Sequence, residues 1–260
     1  MQDDYGNVTL VNVSGIYDEQ PLFIDKLKKG GAGVIDAVSM TGTNGYCDDM
    51  AKENFREMMK EYPTKGIHFI DGGNYHYLTL LWLSLIEEPF DLIVFDNHSD
   101  MQKPAFGDVL SCGGWIRNLV EDSGFKGKVT VVGVDKDNID KEMKELGVKF
   151  ITKQTILKKR GQQYGLENEL IDKCWTGKRP VYISVDKDVL DEKEYKTNWN
   201  QGVMSVDELF AIIEDTFEMR KVIGMDICGE MDEAVNSEFG SIYNEINQAV
   251  NMRFLKFRIS

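Results

Sequence analysis

Short apolar runs recur along the chain, each closing on an acidic residue. Ile67-His68-Phe69-Ile70 leads into Asp71, Leu92-Ile93-Val94-Phe95 into Asp96, and Val129-Thr130-Val131-Val132-Gly133-Val134 into Asp135. Val181-Tyr182-Ile183-Ser184-Val185 leads into Asp186, and Val222-Ile223-Gly224-Met225 into Asp226. Runs that are apolar on both faces suit strands covered on both sides, as in a parallel sheet. Between them, Asp48 to Tyr62 and Leu78 to Ile86 carry apolar residues at helical spacing. Asp137 to Leu146 predicts a helix that stops at Gly147, a C′ glycine. Ser205 is positioned to cap a helix whose apolar positions continue to Phe217. Alternating strand and helix predicts an α/β fold with a mostly parallel central sheet, in which ligands bind beyond the carboxyl ends of the strands. The acidic residues stand at those predicted ends. One such aspartate ordinarily caps a helix or makes a turn. Five crowded at one sheet edge would repel one another unless something positive sat among them, and a divalent metal is the economical answer.

Composition narrows the picture. The chain has 260 residues with five prolines, no linker and no internal repeat, so one domain spanning residues 1–260 is expected. Acidic residues outnumber basic ones 44 to 30, for a net charge of −14. That balance argues against a nucleic-acid partner, which calls for a basic face, and against docking on anionic membranes. No apolar run approaches the roughly 18 residues needed to span a bilayer. The opening Met1-Gln2-Asp3-Asp4-Tyr5 is acidic where a secretory leader would be basic and then apolar. Cys47, Cys112, Cys174 and Cys228 are scattered without a CxxC pair and read as reduced thiols of a cytoplasmic protein. The expected partner is a small-molecule substrate, and a homo-oligomer stays open.

Three segments carry chemistry. Asp96-Asn97-His98-Ser99-Asp100 directly follows a predicted strand and brackets an imidazole with two carboxylates. Oxygen donors with some imidazole suit Mn²⁺, with Zn²⁺ or Fe²⁺ as alternatives, and a polar loop is the plain reading. In Ser184-Val185-Asp186-Lys187-Asp188-Val189-Leu190-Asp191, an extended backbone puts Asp186 and Asp188 on one side and Lys187 on the other. In Asp71-Gly72-Gly73-Asn74-Tyr75-His76, paired glycines allow a sharp turn with His76 just beyond it.

In this order and spacing the three segments resemble the ureohydrolase family of arginase and agmatinase, over roughly residues 65 to 230. That family carries Gly-Gly-Asp-His, then Asp-Ala-His-x-Asp, then Ser-x-Asp-x-Asp-x-Leu-Asp-Pro. The resemblance implies a three-layer arginase–deacetylase-type fold and a site for two divalent ions, Mn²⁺ foremost. It makes Asp96 and Asp186 the bridging ligands. Asp100 and the histidine of the glycine turn complete one ion, and His98 and Asp188 the other. Tyr75 stands where the family has its first histidine, and His76, one residue later, is the candidate through a one-residue insertion. His68 lies inside the strand and reads as structural.

Two departures bear on the activity. The family's loop histidine is absent from Met101–Trp115, where Cys112 lies near its place and reads first as a small buried residue. The family's Asp-Ile-Met-Glu becomes Asp226-Ile227-Cys228-Gly229-Glu230, so the glutamate that contacts the guanidinium group arrives one position late. The resemblance implies hydrolysis of a C–N bond in a guanidino or other linear amidine by metal-activated water, with Asp100 as proton acceptor and Glu230 as substrate contact. Two alternatives remain open: a deacetylase-like amidohydrolase on the same fold, and a non-catalytic metal-containing binding protein. Trp82, Trp115, Trp175 and Trp199 read as core or pocket wall, Lys158-Lys159-Arg160 as a solvated patch, and residues 197–202 as a turn beside the site.

Overall fold

In the computed structural model, residues 4–104, 107–161, 170, 174–231 and 240–259 are described. The strands are β1 (Val8–Asn12), β2 (Gly33–Asp36), β3 (Tyr46–Cys47), β4 (Ile67–Phe69), β5 (Asp91–Phe95), β6 (Leu110–Ser111), β7 (Val129–Val132), β8 (Lys149–Ile151), β9 (Val181–Asp186) and β10 (Val222–Cys228). The α-helices are α1 (Pro21–Lys29), α2 (Asp49–Met59), α3 (Leu78–Leu83), α4 (Trp115–Glu121), α5 (Lys141–Glu145), α6 (Lys153–Lys159), α7 (Val206–Met219) and α8 (Gly240–Phe254). Eight strands form one sheet in the order β2-β1-β4-β10-β9-β5-β7-β8, and all its pairings are parallel. β3 and β6 form a separate antiparallel pair.

Alternation along the strands divides the core between the two faces. In β9, Val181, Ile183 and Val185 pack with Phe23 and Leu27 of α1, with Leu209 and Ile213 of α7, and with Phe254 of α8. Tyr182 points the other way, into a second core with Phe55 of α2, Trp82 of α3 and Ile116 of α4. Two cores on either side of one sheet make three layers, the expected architecture.

Local chemistry sets the helix starts. Asp48 accepts the Ala51 amide at 2.8 Å ahead of α2. Ser205 and Glu208 form a reciprocal capping box at α7, which stabilises the helix by satisfying two otherwise orphaned amides. The helix expected from Asp137 to Leu146 is shorter. Asp135 caps a 3₁₀ turn over Lys136–Asn138, and Asp140 then caps a separate start of α5. Capping side chains that accept nearby amides favour such restarts over one continuous helix. Gly147 does take the positive φ, 84°, that suits a C′ glycine.

Gly133, just past β7, matters for the site. Its φ is 121°, and a Cβ there would lie 2.5 Å from Val189 Cγ2 and 2.6 Å from the Asp96 carbonyl oxygen. Only glycine lets this turn close against the residues that follow β5 and β9.

Candidate metal centre

The strand order places the centre. β4 and β5 are separated by β10 and β9, so the segments leaving β4, β5 and β9 converge over the carboxyl ends of the middle strands. After β4, Asp71 has φ 74°, and after β5, Asp100 has φ 48°. Left-handed backbone at non-glycine residues is uncommon and collects at functional sites. Asp71 is held there by local bonds: its carboxylate accepts the amides of Val13 and Ser14 at 2.8 and 2.9 Å and the Ser14 hydroxyl at 2.6 Å.

His76 Nδ1 lies 2.9 Å from Asp100 Oδ2, 3.3 Å from Asp96 Oδ2 and 3.6 Å from Asp186 Oδ2. His98 Nδ1 lies 2.7 Å from Asp188 Oδ2 and 3.6 Å from Asp96 Oδ1. Donor atoms thus gather into His76–Asp96–Asp100, Asp96–His98–Asp188 and His76–Asp186–Cys228, each within 4.8 Å. All six residues expected as ligands come together, and His76, not Tyr75, reaches the cluster. Tyr75 packs instead into the core on that face of the sheet.

The surroundings fix these side chains. His76 Nε2 meets Ser184 Oγ at 2.9 Å, and that hydroxyl donates to Asp226 Oδ1 at 2.6 Å. Such a relay orients the ring so that Nδ1 faces the carboxylates. Trp115 donates to Asp100 Oδ2 at 2.7 Å, the Asn97 amide to Asp188 Oδ1 at 3.0 Å, and the Asp188 amide to Asp186 Oδ1 at 2.9 Å. Among the six expected ligands, two buried atoms nonetheless lack an aligned hydrogen bond, His76 Nδ1 and Asp96 Oδ2. Buried polar atoms without partners are costly. Four carboxylates and two imidazoles with orphaned atoms aimed at one another fit divalent cations as the missing partner.

Burial and charge crowding both act on the titratable groups of the cluster. Burial, then the charges of Asp188 and Asp96, push Asp186 up to about 7. Burial and Asp96 raise Asp188 to about 6. Burial alone would lower His98, but its bonds to Asp188 and Asp96 outweigh that and hold it up to about 12. All three groups bind protons more tightly folded than unfolded. Their stabilisation is therefore complete below the unfolded pKa values and is lost as pH rises through 6 and 7 for the aspartates. Metal-free protein is expected to lose thermal stability between about pH 6 and about pH 8, while added Mn²⁺ stabilises it more at the higher pH. Melting temperatures with chelator and with Mn²⁺ at both pH values check this. A metal-free protein that gains stability over that interval would contradict it.

Several expectations need correcting. Of the five aspartates expected at strand ends, only Asp96 and Asp186 line the cavity. Asp135 caps a turn and pairs with Lys153 at 2.8 Å. Asp71 braces the backbone of Val13 and Ser14. Asp226 lies inside β10, because that strand continues to Cys228. Glu230, expected to touch substrate, is fully buried in a polar network: Lys187 and Asn251 bond one carboxylate oxygen and Gln20 the other, at 2.8 Å. It is not among the residues lining the cavity. A lysine between Asp186 and Asp188 draws the glutamate to the opposite face of β9.

The cavity over the cluster has a volume of about 380 Å³. Its rim includes Asn44, Tyr46 and Ser111 from around the β3–β6 pair, with Trp199 from the 197–202 turn. That pair was not anticipated, since strands of two residues carry no periodic signal. Trp199 is exposed, donates to Asn74 Oδ1 at 3.0 Å and sets its ring edge-on to His98, with centroids 5.6 Å apart. Cys112 lies on the cavity wall, where burial and the Asp100 charge push its thiol up to about 12. His68 is structural, as expected: it stacks on Trp82 at 4.0 Å and contacts Tyr182 Oη and the Pro63 carbonyl.

Comparison with known proteins decides the family. Residues 28–231 match the Arginase family. The chain belongs to the arginase family. An uncharacterized protein of Thermotoga maritima is 30% identical over 87% of this chain and 80% of its own. Among solved structures, formimidoylglutamase from Bacillus subtilis superposes with a TM-score of 0.69 at 16% identity, covering 96% of this chain and 85% of that one. Trypanosoma cruzi formiminoglutamase with Mn²⁺ gives a TM-score of 0.67 at 13% identity, covering 98% and 94%. At such identity these two likenesses show a shared fold. In this arginase-family chain a lysine stands inside the last aspartate motif and a cysteine lies beside Asp186.

Proposed function

We propose that this arginase-family chain is a cytoplasmic hydrolase that holds two divalent ions, Mn²⁺ foremost, and cleaves a C–N bond of a guanidino or other linear amidine. The observation that carries the reading is the pair of orphaned buried atoms, His76 Nδ1 and Asp96 Oδ2, inside a carboxylate–imidazole cluster at the floor of an open cavity. His76, Asp96, Asp100 and Asp186 would hold one ion, and Asp96, His98, Asp186 and Asp188 the other. When bound, such ions act as Lewis acids that lower the pKa of water and polarise the carbon under attack.

The chain's own residues supply positioning and proton transfer. Asp100 lines the cavity with one oxygen tied to Trp115. A carboxylate fixed in this way can take a proton from attacking water and pass it to the departing nitrogen. Trp199 and Tyr46 provide aromatic faces at the mouth, suited to a flat amidinium. At about 380 Å³ the cavity has room for a small-molecule substrate. None of the four cysteines forms a disulfide, in keeping with a reducing compartment. Among the described residues, no helix is long and apolar enough to cross a membrane.

The test is release of urea or ammonia by Mn²⁺-loaded protein across a panel of linear amidines, with acetylated polyamines in the same panel. Turnover of an amidine is expected, and its loss in His98→Ala with an unchanged circular-dichroism spectrum. Turnover of acetylated amines alone would replace the reading with deacetylation. Stoichiometric metal with no turnover of any compound would favour a binding role.

A further inference from the structure

β10 pairs with β9 so that Cys228 sits opposite Asp186. Both side chains project to the face that carries Tyr182 and Ser184. Cys228 is fully buried, and its thiol donates to Asp186 Oδ2 at 3.2 Å. That oxygen is the one facing His76 Nδ1. Cys228 Sγ, an Asp186 carboxylate oxygen and a His76 ring nitrogen lie within 4.8 Å of one another. The second, independent observation is His76 Nδ1 itself, buried and without an aligned hydrogen bond. A packing role accounts for a small buried thiol. It does not account for the convergence of sulfur, carboxylate and an orphaned imidazole nitrogen on one point.

We propose that Cys228 is a sulfur ligand to the ion held by His76 and Asp186, so that this position prefers softer cations, Zn²⁺ or Co²⁺, over Mn²⁺. The inference rests on the reading that the cluster holds divalent ions. Ligation breaks the S–H bond and forms a sulfur–metal bond. The proton leaves through the cavity to solvent, and no electron is transferred. A coordinating thiol loses its proton outright to a dication. Thiolate donors favour Zn²⁺ and its neighbours, whereas carboxylate donors suit Mn²⁺. One sulfur in an otherwise oxygen- and nitrogen-rich shell therefore changes which metal the site selects without changing the ligand count of the other ion.

The experiment loads full-length protein with Co²⁺ and records its near-ultraviolet absorption. A thiolate-to-cobalt charge-transfer band is expected in the wild-type protein. It should vanish in Cys228→Ser and survive in Cys112→Ser, which removes the thiol on the cavity wall. Competition titrations should show the preference for Zn²⁺ over Mn²⁺ falling roughly tenfold in Cys228→Ser. Bound Co²⁺ without the band overturns the inference and leaves the metal centre standing, and so does a band that follows Cys112. Failure to bind Co²⁺ at all overturns both. If Cys228→Ser does not fold, absence of the band in wild type overturns the inference, and its persistence in Cys112→Ser supports it.

Discussion

Asp186→Ala is expected to abolish tight metal binding, with affinity falling by more than about a hundredfold and hydrolytic activity falling with it. Loss of a residue that merely supports a ligand costs about 10- to 100-fold, so loss of a shared ligand should exceed that. The same substitution should raise the stability of the metal-free protein. Asp186 is pushed up to about 7 by burial and by Asp188 and Asp96, and removing it relieves that repulsion. The opposite signs are the signature: a higher melting temperature in chelator, and no further rise when Mn²⁺ is added. Elemental analysis and melting curves read both. Near two ions per chain in the variant would remove Asp186 from the bridging position.

Lys187→Met should destabilise the fold severely. Lys187 and Glu230 are both fully buried and paired with each other, and Lys187 also reaches Asn251 Oδ1 at 3.0 Å. Removing one partner of a buried ion pair leaves a desolvated charge and costs about 3–5 kcal/mol. For a chain of this size that lowers the melting temperature by on the order of 10 °C. Replacing both, as Lys187→Met with Glu230→Leu, should recover most of the loss, because an apolar pair of similar volume avoids the uncompensated charge. A calorimetric series of the two single variants and the double variant measures the coupling. A single variant within about 1 kcal/mol of wild type would show that the pair contributes little.

The parts of the fold that were legible in the sequence are those whose burial is two-sided. β4, β5, β7, β9 and β10 all lie in the sheet interior and show as continuous apolar runs. β2 and β8 are the sheet edges and are short, and β2 reads Gly33-Val34-Ile35-Asp36 with Val34 exposed, so its signal is weak. The cluster was legible because ligand spacing is local: Asp96, His98 and Asp100 alternate within one segment, and Asp186 and Asp188 within another. The turn before His76 absorbs the extra residue as a 3₁₀ turn over Gly73–Tyr75. What spacing cannot carry is the direction of a side chain beyond the strand end. Glu230 turned away because a lysine waits across β9, a fact of pairing between segments far apart in the chain. The same limit hid the Ser184–Asp226 relay behind His76, which depends on the register of β9 against β10.

The strand order has a consequence for how the molecule is made. β4 can pair outward with β1 as soon as it is synthesised, and β5 with β7 once that strand follows. Their inner edges, however, stay open until β9 and β10 arrive and fill the gap. Closing that gap requires contacts between distant parts of the chain, the slow kind of step in folding. Asp186 and Asp188 come with the late strands, so an ion cannot be fully held before the sheet is closed. A metal ion held by these residues would therefore latch the finished protein and would not nucleate the nascent one. Until β9 and β10 insert, two unpaired interior edges flank the gap, an arrangement that exposes the chain to aggregation.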